Sequence, residues 1–263
     1  MNNIDEVAII YMSCDKYSDL WSEYFKLFRR NWPDCPFRIY ILSNTVVCTV
    51  PGVVPLAIGP DLSWSDNLAA AVDRVGAKYV LLLLDDFFIV APVNTGFLLE
   101  NISWALQEEV DCLRFSPCEP KPSRWINKYL GHVAPGALYR TSTRFPLWKS
   151  SALKSILKQG ESAWEFELAG SERSDLFNGF YVVMREIFEF ENCVIKGRWD
   201  PSAVRKVQSL GVKLDLAKRR SMTLRERLME RLFILRSFIL NLAPQASRRK
   251  LRKAVMTCLG GRR

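Results

Sequence analysis

The feature that most constrains the fold is residues 78–84 (KYVLLLL), the most apolar short run in the chain. A run of this length, followed at once by polar residues, indicates a buried strand. Three other apolar runs, at 6–12, 37–42 and within 53–58, also indicate strands. Helical spacing of large apolar residues predicts helices at 18–31 and 65–75. This alternation predicts an α/β fold with a mostly parallel, twisted sheet and helices on both faces.

The second half of the chain has a less regular pattern. Its apolar residues predict two strands, several helices and a proline-punctuated loop at 116–122. The predicted strands are 110–115 and 137–140, and the predicted helices are 98–109, 150–158 and 175–188.

Two adjacent carboxylates, Asp85 and Asp86, directly follow the 78–84 strand. Ligands bind beyond the carboxyl ends of the strands in sheets of this type, and two carboxylates there are costly to desolvate without a partner. A Mg²⁺ or Mn²⁺ ion bridging diphosphate oxygens is one such partner. The alternative is that one of the two caps the next turn and faces water.

Charge divides the chain into two regions. Residues 218–263 contain fourteen Lys or Arg and two Glu, a net +12, whereas residues 1–217 contain 23 basic and 26 acidic residues. We therefore predict one nearly neutral domain at 1–217 and a basic helical tail at 218–263. Apolar residues recur at helical spacing in the tail and predict an amphipathic helix that binds an anionic membrane surface; packing on the body or on a second copy is the alternative. These tail residues are Leu224, Leu228, Met229, Leu232, Phe233, Leu235, Ile239 and Leu240.

Cysteine and histidine usage excludes several classes of protein. Seven irregularly spaced cysteines form no CxxC pair, which favours reduced thiols in a cytoplasmic protein. His132 is the only histidine, so a histidine-rich metal site is excluded. The N-terminus has no signal-peptide pattern, and no run is long enough to span a bilayer. A nucleic-acid partner is not expected, because the tail has few aromatic residues among its basic ones and no nucleic-acid-binding motif is present.

Several short motifs together resemble bacterial GT-A-fold glycosyltransferases of surface polysaccharide (lipopolysaccharide or capsule) biosynthesis. The resemblance covers roughly residues 5–215 and rests on six motifs. These are residues 13–21 (SCDKYSDLW), 32–36 (WPDCP), 63–65 (SWS), 81–88 (LLLLDDFF) and, further on, 164–167 (WEFE) with 197–199 (GRW).

The resemblance implies a nucleotide-sugar donor bound at the loops after the first and fourth strands. By it, Ser13, Asp15 and Lys16 contact the nucleotide, and Asp86 with Asp85 occupies the place of the acidic metal- or diphosphate-facing motif. The motif reads Asp-Asp-Phe here rather than Asp-x-Asp, so basic residues that replace the metal are an alternative. The candidates for that role are Arg198, Arg219 and Arg220.

Residues 164–167 (Trp-Glu-Phe-Glu) are the candidate catalytic segment. An inverting sugar transfer needs a carboxylate that takes the proton of the acceptor hydroxyl, and a sugar ring needs an aromatic surface such as Trp164. Glu165 and Glu167 are both candidates for the base, with Glu165 favoured because it directly follows the tryptophan. The alternative is that the aromatic residues anchor the core and the glutamates cap a helix or face water.

Two more tryptophans are candidate donor contacts. Trp64 is a candidate for stacking on the base and Asp66 for a hydrogen bond to base or ribose; alternatively Trp64 is a hydrophobic staple at a capped helix start. Trp148 is a candidate for the sugar side, with core packing as the alternative. The sequence thus predicts a peripheral glycosyltransferase at the inner face of the cytoplasmic membrane, acting on a lipid-linked or membrane-proximal glycan. A non-catalytic membrane-associated scaffold with the same fold is the rival interpretation.

Overall fold

The computed structural model describes residues 3–232 and 247–249. The first half of the chain contains five strands and three long helices. They are β1 (Val7–Met12), α1 (Ser18–Asn31), β2 (Arg38–Ser43), β3 (Val54–Ala57), α2 (Trp64–Val75), β4 (Tyr79–Leu84), β5 (Phe87–Ile89) and α3 (Thr95–Gln107).

The second half contains shorter elements. They are β6 (Cys112–Arg114), β7 (Arg124–Trp125), β8 (Leu130–His132), β9 (Pro146–Lys149), α4 (Ser150–Ile156), α5 (Ala163–Glu165), α6 (Ser171–Arg173), β10 (Phe180–Val183), β11 (Phe190–Asn192), β12 (Val194–Ile195), β13 (Arg198–Trp199) and α7 (Pro201–Ser209). A π-helical turn, Phe166–Gly170, joins α5 to α6. Residues 224–232 and 247–249 are also helical.

Nine strands form one sheet in the order β3-β2-β1-β4-β9-β6-β10-β8-β7. Strands β3, β2, β1 and β4 pair in parallel, as do β6 and β10, while β9 and β8 run against their neighbours. Seven of the nine strands therefore run in the same direction. The prediction of a mostly parallel sheet is confirmed.

Helices cover both faces of this sheet, because alternate side chains of each central strand point to opposite sides. On β4, Leu81 and Leu83 belong to the core formed with α1, α3 and α7, whereas Val80 and Leu82 belong to the core formed with α2 and α4. The 78–84 run is thus apolar throughout because it is buried on both sides. The chain has the α/β architecture expected from the sequence, with a mostly parallel sheet and helices on both faces.

Two predictions in the second half were wrong. Residues 137–140 form a turn rather than a strand, with Tyr139 at a φ of 57°; the strand that follows is β9. The predicted helix at 175–188 contains β10 instead, because these residues pair with β6 on one side and β8 on the other. Pairing in the middle of a sheet overrides the local helical pattern.

The described part of the tail is helical at residues 224–232, as predicted, and its apolar side chains are exposed. Leu224 is 81% exposed and Leu228 is 59% exposed. The predicted stripe residues Phe233, Leu235, Ile239 and Leu240 lie outside the described residues. Residues 219–222 pack on the body, where the backbone of Trp199 bonds to that of Arg220 and Met222. No helix in the described ranges has the length and apolar character needed to cross a bilayer.

Candidate functional site

The carboxyl ends of β1, β2 and β4 bring three polar loops to one edge of the sheet, here called the acidic edge. It consists of residues 13–16, 44–46 and 85–86. Ser13 joins two of these loops, because its hydroxyl donates to the Asp85 carboxylate (Oγ to Oδ2, 2.7 Å) and accepts from the indole of Trp21 (2.8 Å). The predicted meeting of the Asp85–Asp86 pair with the loop after β1 is therefore present.

Asp85 and Asp86 are both half-buried. Burial raises the pKa of Asp86 to about 7. Burial and the adjacent charge of Asp86 also raise the pKa of Asp85 well above its usual range, although the hydrogen bond from Ser13 opposes the rise. Within the described part of the chain, no side chain donates a hydrogen bond to the Asp86 carboxylate. Two partly desolvated carboxyls at an accessible edge favour a cationic ligand.

Arg219 supplies positive charge beside this pair. Its guanidinium makes a two-pronged ion pair with Asp19 (2.6 and 2.7 Å) and donates to the carbonyl of Lys16 (2.8 Å). It also lies 4.7 Å from the ring centroid of Tyr17 and 5.1 Å from that of Trp199. The attraction of Arg219 acts to lower the pKa of Asp85. The sequence offered Arg219 only by position, and it did not point to Asp19 at all.

Asp15 organises the loop after β2. Its carboxylate accepts hydrogen bonds from the backbone of Asn44 (2.9 Å) and Val46 (3.1 Å), and from both the backbone and hydroxyl of Thr45. Partial burial acts to raise the pKa of Asp15, but these hydrogen bonds outweigh it, and the pKa lies below its usual value. Asp15 is thus placed at the acidic edge with its charge held by backbone amides, while the Lys16 side chain is exposed.

The start of α2 packs against the candidate catalytic segment. Ser63 caps the helix by accepting from the backbone of Asp66, and the Asp66 carboxylate in turn accepts from the Ser63 hydroxyl (2.6 Å) and the backbone of Gly160 (3.1 Å).

The ring of Trp64 lies 5.2 Å from that of Phe166. Trp164 is 56% exposed beside this contact. The structure therefore brings Trp64 and Asp66 together with residues 164–167.

Both glutamates of residues 164–167 accept hydrogen bonds from backbone N–H groups. Glu165 completes a capping box, accepting from the backbone of Ser162 (2.8 Å) and from its hydroxyl (2.7 Å). Glu167 accepts from the backbone and the hydroxyl of Thr143, at 2.7 and 2.9 Å, through the same oxygen. The capping role was one of the two interpretations of the sequence, and these contacts leave either glutamate as a candidate for the base.

Trp148 and Arg198 are not brought to the acidic edge. Trp148 is fully buried and packs edge-on against Phe166 and Phe180 in the core, so core packing was the correct interpretation. The guanidinium of Arg198 binds Glu226, which Arg220 also binds. Strand β13 directs the Arg198 side chain toward the 224–232 helix.

The described residues contain no group of three or more metal-ligating side chains. The Asp85–Asp86 pair alone suits a hard divalent ion that takes its remaining ligands from diphosphate and water, which is how Mg²⁺ is often held. The partly exposed carboxylate of Asp86 has the donor chemistry for such an ion. Two surface cavities, of about 530 and 430 Å³, lie elsewhere, beside α2 and α4 and beside β12 and β13.

Comparison with solved structures finds distant similarity. S. aureus TarS 1–349, solved in complex with UDP-GlcNAc, is 11% identical with a TM-score of 0.46, and the match covers 80% of this chain and 68% of that one. In a longer TarS structure the match covers 41% of that chain, so this protein spans less than half of it. The galactosyltransferase LgtC, with donor and acceptor sugar analogs, is 12% identical with a TM-score of 0.37, covering 67% and 72%.

A synthetase is among the similar structures as well. CMP:2-keto-3-deoxy-manno-octonic acid synthetase, complexed with CTP, is 13% identical with a TM-score of 0.37, covering 78% of this chain and 98% of that one. No family model and no curated protein matches the chain. A fold by itself does not decide an activity.

Proposed function

We propose that the protein is a glycosyltransferase that moves a sugar from a nucleotide-sugar donor to a glycan or glycolipid acceptor in cell-surface polysaccharide assembly. The observation that carries the proposal is the half-buried Asp85–Asp86 pair, joined through Ser13 to the loop after β1. A nucleoside diphosphate could bind at this edge together with a Mg²⁺ or Mn²⁺ ion held by Asp86 and Asp85. The ion would place positive charge beside both partly desolvated carboxyls. The ion would stabilise negative charge on the leaving diphosphate.

The remaining residues take roles around that donor. Ser13, Asp15 and Lys16 are proposed to contact the nucleotide, with Trp64 and Asp66 on its base or ribose side. Trp164, exposed next to them, offers a ring surface for a sugar. Arg219 is proposed to add positive charge near the diphosphate, because its charge acts to lower the pKa of Asp85.

Donor binding tests the proposal directly. We expect calorimetric titration with UDP-, GDP- and CMP-sugars to find one donor class that binds, more tightly with Mn²⁺ than without. Because a cation binds only the ionised carboxylate, the gain from Mn²⁺ should increase as the pH rises through about 7, the pKa of Asp86. Absence of binding to every nucleotide sugar, with or without the ion, would support the non-catalytic scaffold instead.

Replacing the candidate base is expected to lower the turnover rate without weakening donor binding. Glutamine at position 165 or 167 keeps an oxygen that can accept the hydrogen bonds from Ser162 or Thr143, so the fold should persist. We expect Glu165→Gln to lower kcat about a hundredfold or more, the usual contribution of a general base. Glu167→Gln is the matched variant; a larger loss there would move the base to Glu167. Full turnover in both variants would contradict the assignment of the segment.

The tail is proposed to hold the enzyme peripherally at the inner face of the cytoplasmic membrane. The exposed Leu224 and Leu228 on the 224–232 helix, with the net +12 of residues 218–263, support attachment to anionic lipids. Such attachment would bring the enzyme near a lipid-linked acceptor.

A further inference from the structure

The hairpin formed by β7 and β8 carries an exposed apolar tip surrounded by positive charge. Trp125 is 53% exposed and Ile126 is 42% exposed. The side chains of Lys121, Arg124 and Lys128 are also exposed, and within the described part of the chain none of the three forms an ion pair. We propose that this hairpin tip, residues 121–128, is a contact site for an anionic lipid bilayer, separate from the tail.

The tip is a rigid feature. The Asn127 side chain accepts from the backbone of Tyr129 (2.9 Å) and Leu130 (2.8 Å), and the backbone of Ile126 donates to Leu130 (2.8 Å). A side chain at Gly131 would place its Cβ 2.3 Å from that of Pro122, so the residues leading into β7 are packed directly on β8. A turn held in this way presents Trp125 and Ile126 without further ordering, which lowers the entropic cost of binding.

The chemistry of the tip favours lipid over a protein or a glycan. A stable protein interface covers about 800 Å² on each partner, far more than two side chains supply. A glycan would pack on the tryptophan ring, but an exposed isoleucine beside that ring offers it no hydrogen bond. Tryptophan is enriched at membrane–water interfaces, and cations behind it attract anionic headgroups.

The position of the tip connects it with the acidic edge. Strand β8 runs antiparallel to β10, with Leu130 paired to Val183, so the turn lies at the carboxyl end of β10. Because β10 and β4 run in the same direction, that end is on the same side of the sheet as Asp85 and Asp86. Five strand spacings separate β4 from β7, or about 24 Å at roughly 4.8 Å each. A bilayer that binds the tip would therefore face the side on which the donor is proposed to bind.

Flotation of the full-length chain with phosphatidylcholine vesicles, with and without phosphatidylglycerol, tests the inference. We expect binding only to the anionic vesicles, and at least tenfold weaker binding for Lys121→Glu/Lys128→Glu, since each surface charge contributes about fivefold (~1 kcal/mol). Arg38→Glu/Arg205→Glu changes the net charge equally at exposed positions elsewhere and should have a smaller effect. Equal losses in the two double variants would show a general charge effect and overturn the site.

Tryptophan fluorescence separates the hairpin from the tail, because residues 218–263 contain no tryptophan. We expect quenching by brominated lipid in the wild type and loss of much of that quenching in Trp125→Phe, while Trp164→Phe retains it. Unchanged quenching in Trp125→Phe, or no vesicle binding by the wild type, would overturn the proposal. The inference does not depend on sugar transfer, and donor titration without vesicles shows whether a hairpin variant still binds the nucleotide sugar.

Discussion

Asp86→Asn is expected to reduce sugar transfer about a thousandfold, the scale seen when a group that stabilises transition-state charge is removed. The amide has nearly the shape of the carboxyl but carries no charge, so it would bind the ion and the diphosphate poorly. Turnover of the donor and the gain in donor affinity from Mn²⁺ should be lost together. Asp73→Asn is the matched control, because Asp73 is exposed and its ion pair with Lys154 lies far from the acidic edge.

The same substitution is expected to stabilise the fold at alkaline pH. Burial raises the pKa of Asp86 to about 7, above the ordinary value of 3.8. The folded state therefore holds a proton that the unfolded state has released, and stability falls as the pH rises from about 4 to about 7. Asparagine avoids this loss, so thermal unfolding at pH 8 should show a gain of up to about 4 kcal/mol. The gain should disappear near pH 4. A variant that is inactive and less stable at pH 8 would mean that Asp86 supports the fold instead.

Arg219→Ala is expected to cost about 3–5 kcal/mol of stability, as when one partner of a buried ion pair is removed. The Arg219 side chain is 7% exposed and that of Asp19 is 16% exposed, so the carboxylate would be left without its partner. Loss of positive charge beside Asp85 should also weaken donor binding. Chemical denaturation with and without donor measures both effects.

Arg220 provides a neighbouring control. It pairs with Glu226, but its side chain is 54% exposed, so Arg220→Ala should change stability by about 1 kcal/mol or less. Removing both charges in Asp19→Leu/Arg219→Leu should restore part of the stability that Arg219→Ala loses, without restoring donor affinity. Similar losses for Arg219→Ala and Arg220→Ala would show that the Asp19 pair contributes little.

The site was predictable where it depended on position along the chain. Asp85, Asp86 and Ser13 follow apolar strands, and parallel strands bring their carboxyl ends to one edge whatever the details of packing. Arg219 could not be placed in this way. It reaches the acidic edge because residues 220 and 222 bond to the backbone of Trp199, some twenty residues earlier.

Strands β1 to β4 and helices α1 and α2 were predictable from the sequence itself, because 78–84 and its neighbours have clear local apolar patterns. Strand β5 was not predicted; it pairs with β11, about a hundred residues later. Two segments of the second half, 137–140 and 175–188, were decided by tertiary structure. Residues 180–183 became a strand because β6 and β8 pair with their backbone, and Trp148 became a core residue because β9 lies between β4 and β6. A local sequence pattern indicates which side chains are buried. The strand or helix that packs against them is determined by tertiary contacts between distant parts of the chain.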